Sequence, residues 1–201
     1  MMCSKREYSD RMRSGDYVVR PVSMRTARRL VTVHHYAKGG SNTATYLHGL
    51  FPVGSVWECD CVGIAWWIPP TKSAAIASFC DWMGVLSLSR MVVVPGVPKN
   101  ACSFLLAKSM KLIDRARWPC LVTYADKWRG HTGSIYKATN WEYVGCTSPQ
   151  PVFVRRGRML ARKAGGKTRT HSEMFSLGAE LVGYFPKEKF RHIDKKFHAT
   201  V

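Results

Sequence analysis

The stretch from Val85 to Ala107, VLSLSRMVVVPGVPKNACSFLLA, predicts a strand, a tight loop and a helix in direct succession. Its β-branched run indicates a buried strand over 85–94, and an amphipathic helix is expected over 101–116. A helix that begins at the mouth of a sheet presents unpaired N–H groups, which favour a phosphate or pyrophosphate. Asn100 and Ser103 are therefore candidate cofactor-binding residues, although helix capping is the better explanation for Asn100.

The flanking segments predict the other elements of one mixed sheet. Strands are expected over 16–20, 120–124 and 141–145 and twice within 55–67, and helices over 23–36, 73–82 and 133–140. Residues 38–51, KGGSNTATYLHGLF, are predicted to be a loop long enough to be functional. On the first helix, His34 is expected on the buried face with Ala27, Leu30 and Val31. The fold class is therefore α/β (α+β), with a mixed central sheet flanked by helices.

Composition indicates a folded protein with a polyanionic partner. The 201 residues include 31 Lys and Arg against 13 Asp and Glu, a formal charge of +18, yet 46% are hydrophobic, which excludes a disordered polycation. No apolar run approaches the ~18 residues of a membrane span, and residues 1–10 contain no apolar segment typical of a secretory signal. The seven cysteines are then expected to be reduced, in the cytoplasm. Nucleic acid is the leading candidate partner.

The positive charge is concentrated where acids are absent. Between Tyr143 and Ser172 no Asp or Glu occurs, while seven cations accumulate: Arg155, Arg156, Arg158, Arg162, Lys163, Lys167 and Arg169. A solvated surface is the alternative explanation. Phosphate contacts account better for a run of positively charged side chains, because Asp and Glu would serve solubility equally well. We expect residues 1–150 to form a catalytic domain and residues 151–201 a basic C-terminal extension that packs on it or extends it.

Asp126 is the main candidate for chemistry, because it follows a buried strand at the usual position of sites in open α/β sheets. His131 is a candidate base with Asp126 to orient it, and Tyr136 a candidate acid or orienting hydroxyl. A turn-forming role for Asp126 is the alternative. Trp128, beside Arg129, can stack on an unstacked base.

Two further pairs of residues have side chains suited to catalysis or to metal binding. His35 and Tyr36, after the first helix, can face a cleft, or His35 can cap that helix at the surface. Cys59 and Cys61 lack a second pair at zinc spacing, so spacing predicts no metal site.

The segment from Cys120, CLVTYADKWRGHTGSIYKATNWEYVG, resembles the signature of the Mom family of bacteriophage DNA-modification proteins. The likeness rests on Tyr-Ala-Asp, Gly-His-x-Gly-x-Ile-Tyr and Ala-x-Asn-Trp. It extends upstream over 88–106 and, more weakly, to His35-Tyr36 and to residues 63–70, covering about residues 17–146. The family is a divergent branch of the GNAT acyltransferase fold. By resemblance, the functional positions are His35, Tyr36, Arg90, Ser103, Asp126 and Tyr136.

The resemblance implies an enzyme that adds a carbamoylmethyl group to the N6 amine of adenine in duplex DNA and so blocks host restriction. It implies a small-molecule donor, of acyl-coenzyme A type by fold alone. Iron is also a candidate, with His35, Tyr36 and Asp126 as plausible ligands. The loop PGVPKN departs from the Gly-rich loop usual in the fold, which argues against ordinary coenzyme A binding.

Two alternatives stay open: a GNAT acyltransferase acting on an RNA or protein amine, and a DNA-binding protein without catalysis. The sequence also leaves open whether the protein is a monomer or a homodimer.

Overall fold

The computed structural model describes residues 12, 13, 15–164 and 167–196. The expectation about a secretory signal concerns residues 1–10, which lie outside the described residues. The strands are β1 Tyr17–Pro21, β2 Tyr46–Pro52, β3 Gly63–Ile68, β4 Val85–Val93, β5 Cys120–Asp126, β6 Glu142–Cys146, β7 Gln150–Arg155, β8 Arg158–Leu160, β9 Lys163–Ala164, β10 Lys167–Thr168, β11 Glu180–Phe185 and β12 Lys187–Ile193. The α-helices are α1 Met24–His34, α2 Lys72–Ile76, α3 Ala101–Lys111, α4 Ser134–Lys137 and α5 His171–Ser176.

The central sheet is mixed, as predicted. Its seven strands follow the order β1-β2-β3-β4-β5-β12-β6 among the described residues. Strands β1 to β4 pair antiparallel in succession, whereas β4 and β5 are parallel, with Val85 opposite Cys120. Because parallel neighbours need a crossover, α3 connects them. The strand–helix–strand unit expected around residues 85–124 is confirmed.

The expectation of a loop over the whole of 38–51 was wrong, because β2 begins at Tyr46. Small and polar residues lower the intrinsic strand preference of this segment, but β2 is paired on both sides, with β1 and with β3. Gly49 permits this packing, since a Cβ there would collide with the Val22 side chain and the Cys61 sulfur. Tertiary pairing therefore overrides local composition.

Helix α1 begins where its sequence predicts, but the buried histidine at its end is not the one that was expected. The Ser23 side chain accepts the Thr26 N–H at 3.3 Å as an N-cap. Ala27, Leu30 and Val31 are buried as expected, but His34 is exposed and His35 is buried. The helix ends at His34, and the extended backbone of His35 (φ −87°, ψ 138°) lies outside the helical periodicity. The placement of His34 on the buried face was wrong for that reason.

Helix α3 is shorter than the 16 residues predicted, because it ends at Lys111. Beyond it, the Asp114 carboxylate accepts the N–H groups of Ala116 and Arg117 at 3.0 and 3.2 Å. An aspartate that bonds the backbone in this way forms a turn that competes with the helix.

The chain forms two compact units. The first contains the described residues up to Thr123, Ser134–Glu142 and the described residues from Arg191 on; the second contains Tyr124–Gly133 and Tyr143–Phe190. The predicted domain boundary after residue 150 remains a prediction.

Each unit has its own hydrophobic core. In the first unit, α1 packs on the sheet through a buried cluster that includes Phe51 and Trp66, and a further cluster surrounds Phe79. In the second, β7, β8 and β11 form a three-stranded sheet whose core includes Phe153 and Met174 of α5.

No helix among the described residues is long and apolar enough to cross a membrane.

Candidate active site

His35 and Tyr36 lie directly after α1 in the first unit. The imidazole of His35 is 9% exposed and stacks on the Tyr36 ring, with centroids 4.4 Å apart. Its Nδ1 accepts the backbone N–H of Ala37 at 3.1 Å, so a neutral imidazole carries its proton on Nε2. His35 occupies the C-cap position of α1, as the capping alternative expected, but the surface placement was wrong, because this side chain is buried.

Arg90 holds the loop that follows this pair. Its Nε donates to the Gly39 carbonyl at 2.8 Å, and its Nη1 donates to the Ser89 carbonyl at 2.7 Å. A bulge in β4 at Ser89, opposite Trp66 and Trp67 of β3, breaks the regular alternation beside Arg90. Burial lowers the pKa of Arg90, and the nearby Tyr36 opposes that shift. The structure thus connects Arg90 to the segment that carries Tyr36.

At the start of α3, the side chains of Asn100 and Ser103 are engaged in hydrogen bonds within the protein. Asn100 makes no side-chain cap; its Oδ1 accepts the Met12 N–H at 2.7 Å and its Nδ2 donates to the Met12 carbonyl at 3.3 Å. The expectation that its side chain caps the helix was therefore wrong. The Ser103 hydroxyl donates to the Asn100 carbonyl at 3.0 Å.

Part of the backbone of this loop cannot donate to a pyrophosphate. Pro95 and Pro98 have no N–H, and the N–H of Ala101 already donates to the Pro98 carbonyl. A pyrophosphate site at a helix start needs consecutive free N–H groups. An acyl-coenzyme A donor at this loop stays a prediction.

Tyr136 lies on α4 in the first unit, with its ring 5.8 Å from that of Trp141. Burial raises the pKa of the Tyr136 hydroxyl, and a hydrogen bond with the Thr123 side chain opposes that shift. The hydroxyl therefore stays protonated at neutral pH and can donate a hydrogen bond or a proton, but it cannot act as a base.

Asp126 ends β5 and belongs to the second unit. It is only 6% exposed, and its Oδ2 lies 3.8 Å from Lys187 Nζ. A 3-10 turn over Lys127–Arg129 follows, and the His131 N–H donates to the Asp126 carbonyl at 3.3 Å. The turn thereby ties the backbone of the exposed His131 to that of Asp126. Sequence spacing could not have identified Lys187, which comes from the distant strand β12.

Trp128 and Arg129 form one aromatic and cationic group in the second unit. The Arg129 guanidinium lies 4.3 Å from the centre of the Trp128 ring, and the Phe185 ring lies 6.4 Å away. A cation over an indole face is a stabilising arrangement, and it covers one face of the ring.

The seven cations between Arg155 and Arg169 lie on or next to strands β7 to β10, and they differ in role. Arg162 donates twice to the Arg169 carbonyl, at 3.0 and 2.9 Å, and Arg169 donates back to the Ala161 carbonyl at 3.3 Å. These two arginines join the ends of the β9–β10 hairpin. The side chains exposed to solvent are Arg155, Arg156, Arg158, Lys163 and Lys167.

The predicted site residues are thus divided between the units. His35, Tyr36, Arg90, Asn100, Ser103 and Tyr136 belong to the first, and Asp126, Trp128, Arg129 and His131 to the second. No cluster of three or more His, Cys, Asp or Glu side chains occurs among the described residues. Iron at His35, Tyr36 and Asp126 stays a prediction.

Solved structures with similar folds are N-acetyltransferases. A chimera of the Vibrio cholerae spermidine N-acetyltransferase is 9% identical with a TM-score of 0.55, over 90% of this chain and 98% of that one. The Brucella melitensis ribosomal-protein-alanine N-acetyltransferase is 10% identical with a TM-score of 0.51, over 88% and 99%. At such identities the likeness concerns the fold alone, and it confirms the expected GNAT-like fold.

Sequence comparison agrees with the resemblance noted above. The methylcarbamoylase Mom of Escherichia phage Mu is 27% identical over an alignment of 138 residues, and the match covers 66% of this chain. The matched segment spans only 55% of that relative's length. The model of the Mom protein family matches residues 16–194, nearly the whole of the described chain. The chain belongs to the Mom protein family.

Proposed function

We propose that this protein is a DNA-modifying transferase that adds a carbamoylmethyl group to the N6 amine of adenine in duplex DNA. Membership of the Mom family over residues 16–194 carries the proposal. The methylcarbamoylase name of the phage Mu relative and the N-acetyltransferase fold support a transferase. The DNA would lie in the host cytoplasm, and the modification would protect it from restriction enzymes.

The charge distribution supports a DNA substrate. The chain has a net charge of +18, and five exposed cations lie on or between the short strands β7 to β10. The adenine amine is buried in the duplex, so the base must be extruded at a cost of a few kcal/mol. Phosphate contacts hold the backbone during that step. Trp128 with Arg129 is the proposed stacking group.

The reaction requires a base that accepts the proton of the adenine amine. The amine nitrogen forms a bond to the methylene carbon of the donor, and the bond from that carbon to the leaving group breaks with its electron pair. The amine proton passes to Asp126 or to His131. The carboxylate of Asp126 is nearly buried, with Lys187 as its ionic partner, and a carboxylate can accept a proton as a general base. Tyr136, protonated at neutral pH, would orient a reacting group by donating a hydrogen bond.

Mass spectrometry of nucleosides from DNA of expressing cells tests the proposal. Wild-type protein should produce a new adenine species, and Asp126→Asn, which keeps the size but loses the base, should lower it about 100-fold or more. Glu188→Gln is the matched control, because Glu188 pairs with Lys127 at 3.0 Å in the same unit and has no proposed role. Equal yields from wild-type protein and Asp126→Asn would refute the role of Asp126.

The same experiment separates the alternatives. Unmodified DNA together with an acylated RNA or protein would favour an ordinary acyltransferase, whose support is the fold likeness alone. Absence of any modification would favour DNA binding without catalysis.

A further inference from the structure

A cavity of about 380 Å³ lies in the first unit, beside the last turn of α3. The chain after α4 and the end of β12 complete its wall. None of its lining residues is among the predicted site residues. Its volume is within the range of pockets that bind small molecules.

Arg115 lines this cavity with unused hydrogen-bonding capacity. Its Nη2 donates to the carbonyls of Pro119 and His192 at 2.8 and 3.2 Å. Its Nε and Nη1 are buried without a hydrogen-bond acceptor, and Asp194 Oδ2 lies 3.7 Å from Nε, beyond hydrogen-bonding range. Burial lowers the pKa of Arg115, with Asp194 opposing it. Unsatisfied donors of a buried guanidinium are costly, so this side chain favours an anion close to it.

The rest of the wall combines charge, an amide and apolar surface. Lys111, the last residue of α3, adds a second cation, and Ala107, Met110 and Ala138 supply apolar contact. Asn140 has a left-handed backbone (φ 61°) where the chain leaves α4, and it too lines the cavity. An amide beside an apolar surface suits the polar edge and flat face of a nucleobase.

We propose that the cavity binds one nucleotide, with its phosphate on Lys111 and Arg115 and its base against Ala107, Met110 and Ala138. The proposal stands on the cavity and does not depend on the proposed DNA modification. The same chemistry belongs to a free mononucleotide and to a nucleotide within a strand.

Titration of the full chain with dAMP, followed by calorimetry at low salt, tests the site. We expect dAMP to bind more tightly than deoxyadenosine or inorganic phosphate, because each of these offers only half of the contacts. Lys111→Gln should weaken dAMP binding about fivefold. Lys108→Gln is the matched control on the same helix, because the Lys108 ammonium lies over the Phe104 ring and does not line the cavity.

Two variants test the base end of the cavity. Ala107→Phe should fill it and abolish dAMP binding. Asn140→Gly, which tolerates the left-handed backbone, should weaken dAMP binding and leave phosphate binding unchanged. Equal weakening by Lys108→Gln and Lys111→Gln, or equal affinity for dAMP and phosphate, would overturn the proposal.

Competition with an oligonucleotide then identifies the source. Displacement of dAMP from wild-type protein, but not from Lys111→Gln, would assign the cavity to a nucleotide within a strand. Retention of dAMP would assign it to a free nucleotide. DNA modification by Ala107→Phe at the wild-type level would leave the proposed function intact, so the two proposals can fail separately.

Discussion

Replacing His48 with glutamine should remove an acid-sensitive part of the stability of this protein. His48 lies on β2 and is 2% exposed. Its Nδ1 is 2.7 Å from the Ser109 hydroxyl, which also accepts the indole N–H of Trp67 at 2.8 Å. The Ser109 hydroxyl can then donate its own proton to Nδ1 of a neutral imidazole. A protonated imidazole would donate at Nδ1 instead of accepting, which leaves the Ser109 proton without that acceptor and places a charge in the core.

The size of the effect follows from the pKa. Burial lowers the pKa of His48 from 6.5 to about 4. Above pH 6.5 the imidazole is neutral in both the folded and the unfolded chain, so His48 adds no pH dependence. Between pH 6.5 and 4 only the unfolded chain takes up the proton, which lowers the free energy of unfolding by about 1.4 kcal/mol per pH unit. The loss reaches about 3 kcal/mol near pH 4 and then levels off.

Urea unfolding of wild-type protein and His48→Gln between pH 7.5 and 4 measures this loss. Tryptophan fluorescence and circular dichroism must give coincident transitions for a single free energy to apply. The stability advantage of wild-type protein over the variant should shrink by about 3 kcal/mol across this range. His34→Gln is the control, because His34 is exposed on the neighbouring helix α1 and its substitution should leave the slope unchanged. A wild-type advantage that is the same at all pH values would refute the reasoning.

Two further predictions concern the second unit. Replacing Arg158, Lys163 and Lys167 together with glutamine should lower the slope of log DNA affinity against log salt by about 2.7, because each phosphate contact contributes about 0.9. Filter binding at salt concentrations from about 50 to about 300 mM measures this slope. An unchanged slope would mean that the three side chains are solvated and do not contact phosphates. Gly133→Ala should destabilise the protein by about 3 kcal/mol, because its φ is +68° and a Cβ would collide with the Phe190 ring. Gly130→Ala, with φ +73° and open space, should cost only about 1 kcal/mol in urea unfolding, and equal costs would exclude the collision.

Much of the fold could be predicted because its signals are local. The β-branched run before Pro95 predicts β4, and the N-cap of α1 at Ser23 needs only the first turn of the helix. The position of Asp126 after a buried strand also follows from the chain around it. The start of strand β2 could not be predicted, because Gly, Ser, Asn and Thr dominate residues 38–45 just before it, and pairing with β1 and β3 decides where the strand begins.

The candidate site divides in the same way. The residue types and their order in the segment from Cys120 were sufficient to indicate the family, and family membership is what connects this chain to DNA modification. The partners of the candidate site residues were not predictable from the sequence. Lys187 of β12 pairs with Asp126, and the Met12 backbone forms hydrogen bonds with the side chain of Asn100.

The sequence by itself determined the excess of positive charge, the mixed α and β architecture and the candidate carboxylate, since these depend on composition and on neighbours along the chain. Only the tertiary structure decided that His35 rather than His34 is buried, that the Asn100 side chain bonds the Met12 backbone instead of capping α3, and that Arg115 borders a cavity. Burial and hydrogen bonding between residues far apart in the chain depend on the completed fold, and no local pattern contains that information.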